Sequence, residues 1–303
     1  MNKVMKKLII LSLLLVMLLT SCTPLNRLEE YSNALDALNS TDIFVIDITS
    51  GFEFYHSDDG NNIVYPASIT KLLSALVALD TLPADTVITP GDEVYMIGQY
   101  SSVAYIRPNH KLTVEMLVEA MLIPSGNDAA YALAAACGQK ISGNSSISPA
   151  EAINVFVAEM NKYATELGCT GTNFTCPDGY AGNEHYSTVS DMAKIAKAAI
   201  QNDIIRKYVG TVVANVVYAS GHTNTWKNTN LQMHKESEFY NPYVKGMKTG
   251  SLTDNNSLVT YYNDGETELL IGTFGSPTKE GRYEDAREII DYFTKINQIK
   301  NAR

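Results

Sequence analysis

The feature that most constrains the fold is the way strand-like and helix-like sequence is distributed along the chain. Runs rich in apolar and β-branched residues lie towards both ends, and they enclose a helix-rich middle, residues 66–208. The strand-like runs are Ile43–Ile48, Phe52–Tyr55, Val212–Ala219, Ser257–Tyr262 and Leu269–Phe274. Strands from both ends must share one core, so this order predicts an α+β fold, with an antiparallel sheet flanked by helices and an inserted helical subdomain.

The N-terminus has the pattern of an export signal. Three lysines precede an apolar run from Leu8 to Leu19, and small residues lead directly to Cys22. The pattern resembles a bacterial lipoprotein signal, which predicts removal of residues 1–21, a lipidated Cys22, a tether over 22–40 and one domain over 41–303. The expected location is therefore extracytoplasmic, at the cell membrane. The alternative is an uncleaved anchor, although the apolar run is short for a bilayer span.

The charge of the chain excludes several classes of function. The formal net charge is −10, and loss of the N-terminal lysines would make the mature chain more acidic. Nucleic-acid binding requires a basic footprint, so no nucleic-acid partner is expected. The five histidines show no metal-ligand spacing and no glycine-rich phosphate loop is present, so the sequence predicts neither a metal nor a cofactor.

The first motif with chemical content is Ser68-Ile69-Thr70-Lys71, at the head of an apolar, helix-like run. Residues three apart share one face of a helix, so Ser68 and Lys71 should lie side by side. Burial lowers the pKa of a lysine, and a neutral amine beside a hydroxyl is a suitable general base for a serine nucleophile. The alternative is a helix N-terminus with a lysine that extends to the surface.

Two further motifs follow in order: Ser125-Gly126-Asn127 between two helical runs, and Lys248-Thr249-Gly250 in a strand-like stretch. Taken singly, the second is consistent with an ordinary helix-cap loop, in which Asn127 or Asp128 is the N-cap, and the third carries no information. All three in this order are typical of penicillin-binding proteins and class A β-lactamases.

The chain resembles the D-alanyl-D-alanine carboxypeptidases, the low-molecular-mass penicillin-binding proteins. Beyond the three motifs, the likeness includes Pro177-Asp178-Gly179, His185-Tyr186-Ser187-Thr188, Asn228-Thr229-Asn230 and Glu280-Gly281-Arg282, and it covers roughly residues 41–295. The resemblance implies a DD-peptidase/β-lactamase-like fold. It also implies a substrate, a peptidoglycan stem peptide ending in D-Ala-D-Ala, and covalent inhibition by β-lactams.

The resemblance also implies a role for each matching residue. Ser68 would be the acylated nucleophile, Lys71 its base, and Ser125 the proton relay to the departing amine. The expected substrate-binding residues are Asn127, Lys248, Thr249, Gly250, Ser251 and Arg282. Among these, the backbone N–H groups of Ser68 and Ser251 would form the oxyanion hole, and Arg282 would support recognition of the substrate carboxylate. The alternative for Arg282 is a surface arginine on a loop before the last helix.

Two other functions remain open at this stage. A class A-like β-lactamase would need a glutamate for deacylation, and Glu159 and Glu166 lie in a helix-like stretch that matches the carboxypeptidases. A penicillin-recognising sensor would bind without turnover, and release of D-alanine would distinguish it from an enzyme. Cys169 and Cys176 are seven residues apart in a chain expected to be exported, so a disulfide is possible, but its connectivity cannot be deduced.

Overall fold

The structure is a computed structural model that describes residues 38–56 and 58–301. The expected signal peptide, Cys22 and nearly all of the tether lie outside the described residues. The strands are β1 (Asp42–Asp47), β2 (Phe52–His56), β3 (Ile63–Val64), β4 (Val87–Ile88), β5 (Leu112–Thr113), β6 (Ser187–Thr188), β7 (Val213–Val217), β8 (Thr223–Lys227), β9 (Val244–Leu252), β10 (Asn255–Asn263) and β11 (Glu268–Ser276). The helices are α1 (Lys71–Thr81), α2 (Val114–Leu122), α3 (Asn127–Ser142), α4 (Pro149–Glu166), α5 (Val189–Gln201), α6 (Asp203–Val209) and α7 (Gly281–Asn301).

The main sheet is built from both ends of the chain, as the sequence predicts. Its strand order is β2-β1-β11-β10-β9, and every neighbouring pair is antiparallel. Val45 pairs with Ile271 where the N-terminal and C-terminal halves meet. Strand β9 pairs with β10 through Lys248 and Val259, and it stands last in the strand order. The sheet therefore ends in the strand that carries the third motif.

One expected strand belongs to a different sheet. The run Val212–Ala219 contains β7, but β7 pairs with β8 in a separate hairpin rather than with the main sheet. Its residues alternate between exposed and buried, so it covers the core with one face only. Strand β10, by contrast, is buried along nearly its whole length, as a strand covered on both faces must be. Strand β8 was not expected, because its polar sequence buries only Trp226.

Helix α1 is the central helix of the fold. Eight consecutive residues, Lys71 to Ala78, are buried, which agrees with the apolar character of this run on every side. The core cluster to which α1 contributes also contains Phe44 and Leu270 from the main sheet and Leu133 from the inserted helices. Because α1 packs against both parts, it fixes the position of the first motif relative to each of them.

Three described cysteines are buried inside this core. Cys137, Cys169 and Cys176 are all free thiols, so the disulfide considered for Cys169 and Cys176 is not formed. Burial raises the pKa of each thiol to about 12, which keeps it protonated and unreactive. In the described part of the chain, no helix has the combined length and apolar character needed to cross a membrane.

Candidate active site

The first motif places a serine hydroxyl against a lysine amine. Pro66 precedes a single 3-10 turn, Ala67–Thr70, and α1 begins at Lys71. Residues i and i+3 eclipse each other in a 3-10 turn, and Lys71 Nζ donates a hydrogen bond of 2.7 Å to Ser68 Oγ. Ala67 has φ of +49°, a strained value for a residue with a side chain. The spacing argument therefore gives the correct neighbours, although the turn is tighter than an α-helix.

The Lys71 amine is buried in a way that favours its neutral form. Its side chain has no exposed surface, and its second partner is the carbonyl oxygen of Asp178, 2.8 Å from Nζ. Burial lowers the pKa of Lys71 to about 8, and the negative charges of Asp178 and Asp128 act in the opposite direction. An amine with this pKa is partly neutral at physiological pH, so it can accept a proton from Ser68.

The second motif forms the turn between α2 and α3. Ser125 has φ of +63°, and helix α3 begins directly after Gly126. Asn127 Nδ2 donates to Ser101 Oγ at 2.8 Å, whereas Asn127 Oδ1 is buried and has no hydrogen-bond partner among the described residues. Asp128 accepts from the backbone of Ala104 and so ties the loop that carries Ser101 to α3. Asn127 therefore keeps an unused carbonyl acceptor, Oδ1, and a second N–H on Nδ2 for a ligand.

The third motif brings a second buried lysine to the same site. Lys248 Nζ donates 2.9 Å to Ser125 Oγ and 3.1 Å to the carbonyl of Thr249. Burial lowers the pKa of Lys248 well below its usual value, and the charges of Lys71 and Arg282 lower it further. The Thr249 and Thr229 hydroxyls lie 2.6 Å apart. Two hydroxyl–amine pairs, one from each lysine, therefore share one buried site.

Strand β9 lies directly against the turn that carries Ser68, and Gly250 permits this close approach. A Cβ atom at Gly250 would lie 2.6 Å from the carbonyl oxygen of Pro66 and 3.2 Å from the Ala67 Cβ, so a side chain would push the strand away. The contact brings the backbone that follows the third motif, including Ser251, next to the turn that carries Ser68. Ser251 Oγ accepts a hydrogen bond of 3.0 Å from Arg282 Nη1.

Arg282 is a buried residue of the first turn of α7. It is 5% exposed, so the alternative of a surface arginine is wrong. Arg282 Nη1 also donates to the carbonyls of Gly250 at 2.8 Å and Ser257 at 3.2 Å, on the paired strands β9 and β10. The guanidinium therefore stabilises the backbone of the third motif from within the sheet.

A segment outside the three motifs completes the site. Gly179 has φ of +81°, and a Cβ there would lie 1.8 Å from the carbonyl oxygen of Ala67. His185 Nε2 lies 2.8 Å from Thr70 Oγ1, and Ser74 Oγ donates 2.6 Å to the carbonyl of Pro177. The signal for this segment was the stretch Pro177-Asp178-Gly179, which the resemblance includes without giving it a role.

The structure also bears on the alternatives of metal and glutamate chemistry. No group of three or more His, Cys, Asp or Glu side chains suited to a metal ion occurs within the described ranges. Glu159 and Glu166, the candidates for a deacylating glutamate, lie on α4 and both pair with the largely exposed Lys162, at 2.7 Å and 3.8 Å. Both carboxylates are thus engaged with a surface lysine rather than with Ser68.

Comparisons with known proteins agree on one family. The sequence model of the family described as D-alanyl-D-alanine carboxypeptidase matches residues 29–278. The D-alanyl-D-alanine carboxypeptidase of Streptomyces sp. (strain K15) is 32% identical over 235 residues, which are 74% of this chain and 77% of that protein. The carboxypeptidase DacF of Bacillus subtilis is 29% identical over 245 residues, 78% of this chain but only 58% of that protein. The crystal structure of the Streptomyces K15 DD-transpeptidase matches with a TM-score of 0.74 at 28% identity, covering 84% of this chain and 97% of that one.

Proposed function

This chain belongs to the D-alanyl-D-alanine carboxypeptidase family of serine peptidases, and on that premise we propose that it removes the terminal D-alanine from peptidoglycan stem peptides through an acyl-enzyme on Ser68. The observation that carries the proposal is the 2.7 Å hydrogen bond from the buried Lys71 amine to Ser68 Oγ. A serine hydroxyl is a weak nucleophile until an adjacent base removes its proton, and a partly neutral Lys71 is such a base.

Acylation begins at the Ser68–Lys71 pair. Ser68 Oγ attacks the carbonyl carbon of the penultimate D-alanine while its proton passes to Lys71 Nζ. The negative charge that develops on the carbonyl oxygen is accepted by the backbone N–H groups of Ser68 and Ser251, and loss of one such donor typically costs about 3 kcal/mol. The close packing of Gly250 on Pro66 supports this pairing of donors, because it brings the two backbone segments together.

The leaving group departs on the side of Ser125. As the C–N bond of the tetrahedral intermediate breaks, Ser125 donates its proton to the departing amine nitrogen of D-alanine. Lys248, 2.9 Å from Ser125 Oγ, replaces that proton or stabilises the oxygen that has lost it. A water molecule then attacks the acyl-ester carbon and gives a proton to the Ser125–Lys248 pair, which had lost one to the amine, and Ser68 Oγ leaves with the proton that Lys71 took from it. Asn127 Oδ1, an acceptor without a partner, is suited to the N–H of the substrate backbone.

A carboxypeptidase must bind the free carboxylate at the end of its substrate, and the third motif provides groups suited to that task. Burying a carboxylate is costly unless it is paired and hydrogen-bonded. Lys248 and Thr249 offer an amine and a hydroxyl, and Arg282 adds positive potential, in a chain that is otherwise acidic. An amidated D-Ala-D-Ala peptide should therefore be hydrolysed much more slowly than the free acid. Equal rates for the two would favour an endopeptidase instead.

A transpeptidase is the second candidate. The similar crystal structure, with a TM-score of 0.74, is that of the Streptomyces K15 DD-transpeptidase, although the sequence relative from the same strain is described as a carboxypeptidase. The two reactions share the acyl-enzyme and differ only in whether water or an amine attacks it. A β-lactamase is less favoured, because Glu159 and Glu166 are paired with Lys162.

The deciding experiment follows the acyl-enzyme and its products. A fluorescent penicillin should label the wild-type protein covalently, and Ser68→Ala should remove labelling while the circular dichroism spectrum is unchanged. Labelling that persists in Ser68→Ala would refute the nucleophile assignment. Incubation with a muropeptide mixture, followed by mass spectrometry, should show loss of one D-alanine. A product joined to an added amine would favour the transpeptidase, and label without any product would favour the sensor.

We propose further that the protein is held at the outer face of the cell membrane by a lipid on Cys22. The support is the lysine-rich start, the apolar run and the small residues before Cys22. The protein should partition with membranes, and Cys22→Ala should release it or leave its precursor uncleaved. An unmodified residue 22 in the intact mass of the native protein would contradict the proposal.

A further inference from the structure

The Asp178 carboxylate is buried beside the candidate catalytic base and has spare hydrogen-bonding capacity. Asp178 is 1% exposed, and its backbone carbonyl already accepts a hydrogen bond from Lys71 Nζ. Asp178 Oδ1 accepts from the backbone N–H of Tyr180 at 3.1 Å, whereas Oδ2 is buried and accepts from no nitrogen or oxygen donor among the described residues. A buried carboxylate in this state is costly unless a cation lies near it.

Charged groups approach Lys71 from three parts of the fold. Helix α3 contributes Asp128, whose oxygens are already engaged by backbone N–H groups, and β9 contributes the Lys248 amine, whose pKa burial lowers well below its usual value. The segment before β6 contributes Asp178, whose negative charge favours the Lys71 ammonium. Asp128 is thus committed to backbone N–H groups, whereas Asp178 Oδ2 accepts from no nitrogen or oxygen donor among the described residues and the Asp178 side chain has the Cys176 thiol as its hydrogen-bonding neighbour.

The other titratable groups around this pair are uncharged. Burial keeps the Cys176 thiol protonated, with a pKa of about 12, and lowers the pKa of His185 to about 4, so its imidazole is neutral. Burial likewise raises the pKa of Tyr131 on α3, which keeps its phenol protonated. At neutral pH, none of these three groups can compensate for the charge on Lys71.

We propose that the Asp178 carboxylate is the counter-charge of Lys71 and stabilises the ammonium that forms when Ser68 gives up its proton. The inference rests on the proposed function, in which Lys71 is the base. Asp178 acts through Lys71 and does not touch the substrate. It is therefore a positioning residue, and what it influences is the protonation state of the base. In a Ser-His-Asp triad, the aspartate likewise stabilises the cation that forms when the histidine takes the proton of the serine.

The substitution Asp178→Asn isolates this charge. It retains the side-chain shape, the Oδ1 acceptor for Tyr180 and the backbone carbonyl that binds Lys71, and it removes the negative charge by replacing Oδ2 with an NH2 group. An opposite charge within about 4–6 Å shifts a pKa by about 1–3 units. The variant should therefore have an acylation rate whose pH midpoint lies lower than in the wild type by about one unit or more. Its plateau rate should also fall, because a less basic amine accepts the proton less readily.

The test is the rate of labelling by a fluorescent penicillin from pH 5.5 to 10, for the wild type and two variants. Asp191→Asn is the matched control, because Asp191 is also 1% exposed but pairs with Lys194. The control should keep the wild-type midpoint. A lower plateau with an unchanged midpoint in Asp178→Asn would show a merely structural role and would overturn the inference.

A measurement on the wild-type protein decides the question even if Asp178→Asn does not fold. The 13C resonance of the Asp178 carboxyl group should respond as Lys71 loses its proton, with the same midpoint near pH 8. No response of Asp178 in that range would overturn the inference. Failure of the wild type to label at all would instead refute the proposed function, so the two failures are distinguishable.

Discussion

Arg282 offers a direct test of how the third motif is held in place. The substitution Arg282→Ala removes hydrogen bonds from Nη1 to the Gly250 carbonyl, the Ser251 hydroxyl and the Ser257 carbonyl, on two adjacent strands. The prediction is that the variant loses both stability and acylation rate. Both effects have the same cause, since these bonds stabilise the backbone that is expected to carry an oxyanion-hole donor.

The structure sets the size of the expected loss. A hydrogen bond from a charged donor contributes about 1.5–3 kcal/mol, but the three bonds share one nitrogen and are not additive. Arg282 Nε is buried without a partner within the described residues, so part of the cost of burying the guanidinium disappears with it. We expect a net loss of about 3 kcal/mol in the free energy of unfolding. For a domain of this size this lowers the Tm by about 6–12 °C.

Thermal unfolding and penicillin acylation measure the two effects. The kcat/KM for a D-Ala-D-Ala peptide should fall about 10–100-fold, as expected for loss of about 1.5–3 kcal/mol in the transition state. Arg282→Lys restores the charge but not the planar fork, so it should recover only part of each loss. Arg287→Ala on the same helix is the control: Arg287 is exposed and contacts only the edge of the structure, through the Glu238 carbonyl and the Phe239 ring, so its change should stay within about 0.5 kcal/mol. Wild-type Tm and rates in Arg282→Ala would refute the reasoning.

Three other predictions follow from the site. With a pKa of about 8, Lys71 is about 9% neutral at pH 7 and about 91% neutral at pH 9, so the wild-type acylation rate should rise roughly tenfold between them; a flat profile would exclude Lys71 as the base. Gly179→Ala should lower the free energy of unfolding more than Gly168→Ala, because both glycines have φ near +80° but only a Cβ at Gly179 would meet a carbonyl, that of Ala67. Equal Tm losses of about 3–6 °C, for about 1–2 kcal/mol each, would show that the backbone moves away from the new methyl group without cost. Finally, amidation of the D-Ala-D-Ala peptide should lower kcat/KM at least tenfold, measured by release of the C-terminal residue.

Local spacing predicted what lies within one element. The sequence showed that Ser68 and Lys71 would be neighbours and that the apolar run after them would be a buried helix, because both follow from helical periodicity. The main sheet was predictable in outline from strand-like runs at both ends. The separate pairing of β7 was not, because β8 is polar and lacks the alternation that identifies a strand.

Contacts between distant segments needed the structure. The 2.9 Å bond from Lys248 to Ser125 joins residues 123 apart, and spacing does not determine it. The carbonyl of Asp178 is a backbone acceptor, so no side-chain pattern could reveal that it binds Lys71. Likewise, the 2.8 Å bond from Asn127 Nδ2 to Ser101 could not be anticipated, because Ser101 lies in a loop without a motif.

The pairing of β1 with β11 has a consequence for when the protein becomes active. Strand β1 is among the first described elements to be synthesised and β11 among the last, yet Ile46 and Leu270 are directly paired. Contacts this distant in sequence form late and slow the folding of a domain. A growing chain can contain the complete Ser68–Lys71 turn while β9, β10 and β11 are still missing. Reaction with penicillin would then mark the moment at which the last strands have joined the sheet, well after Ser68 itself has been synthesised.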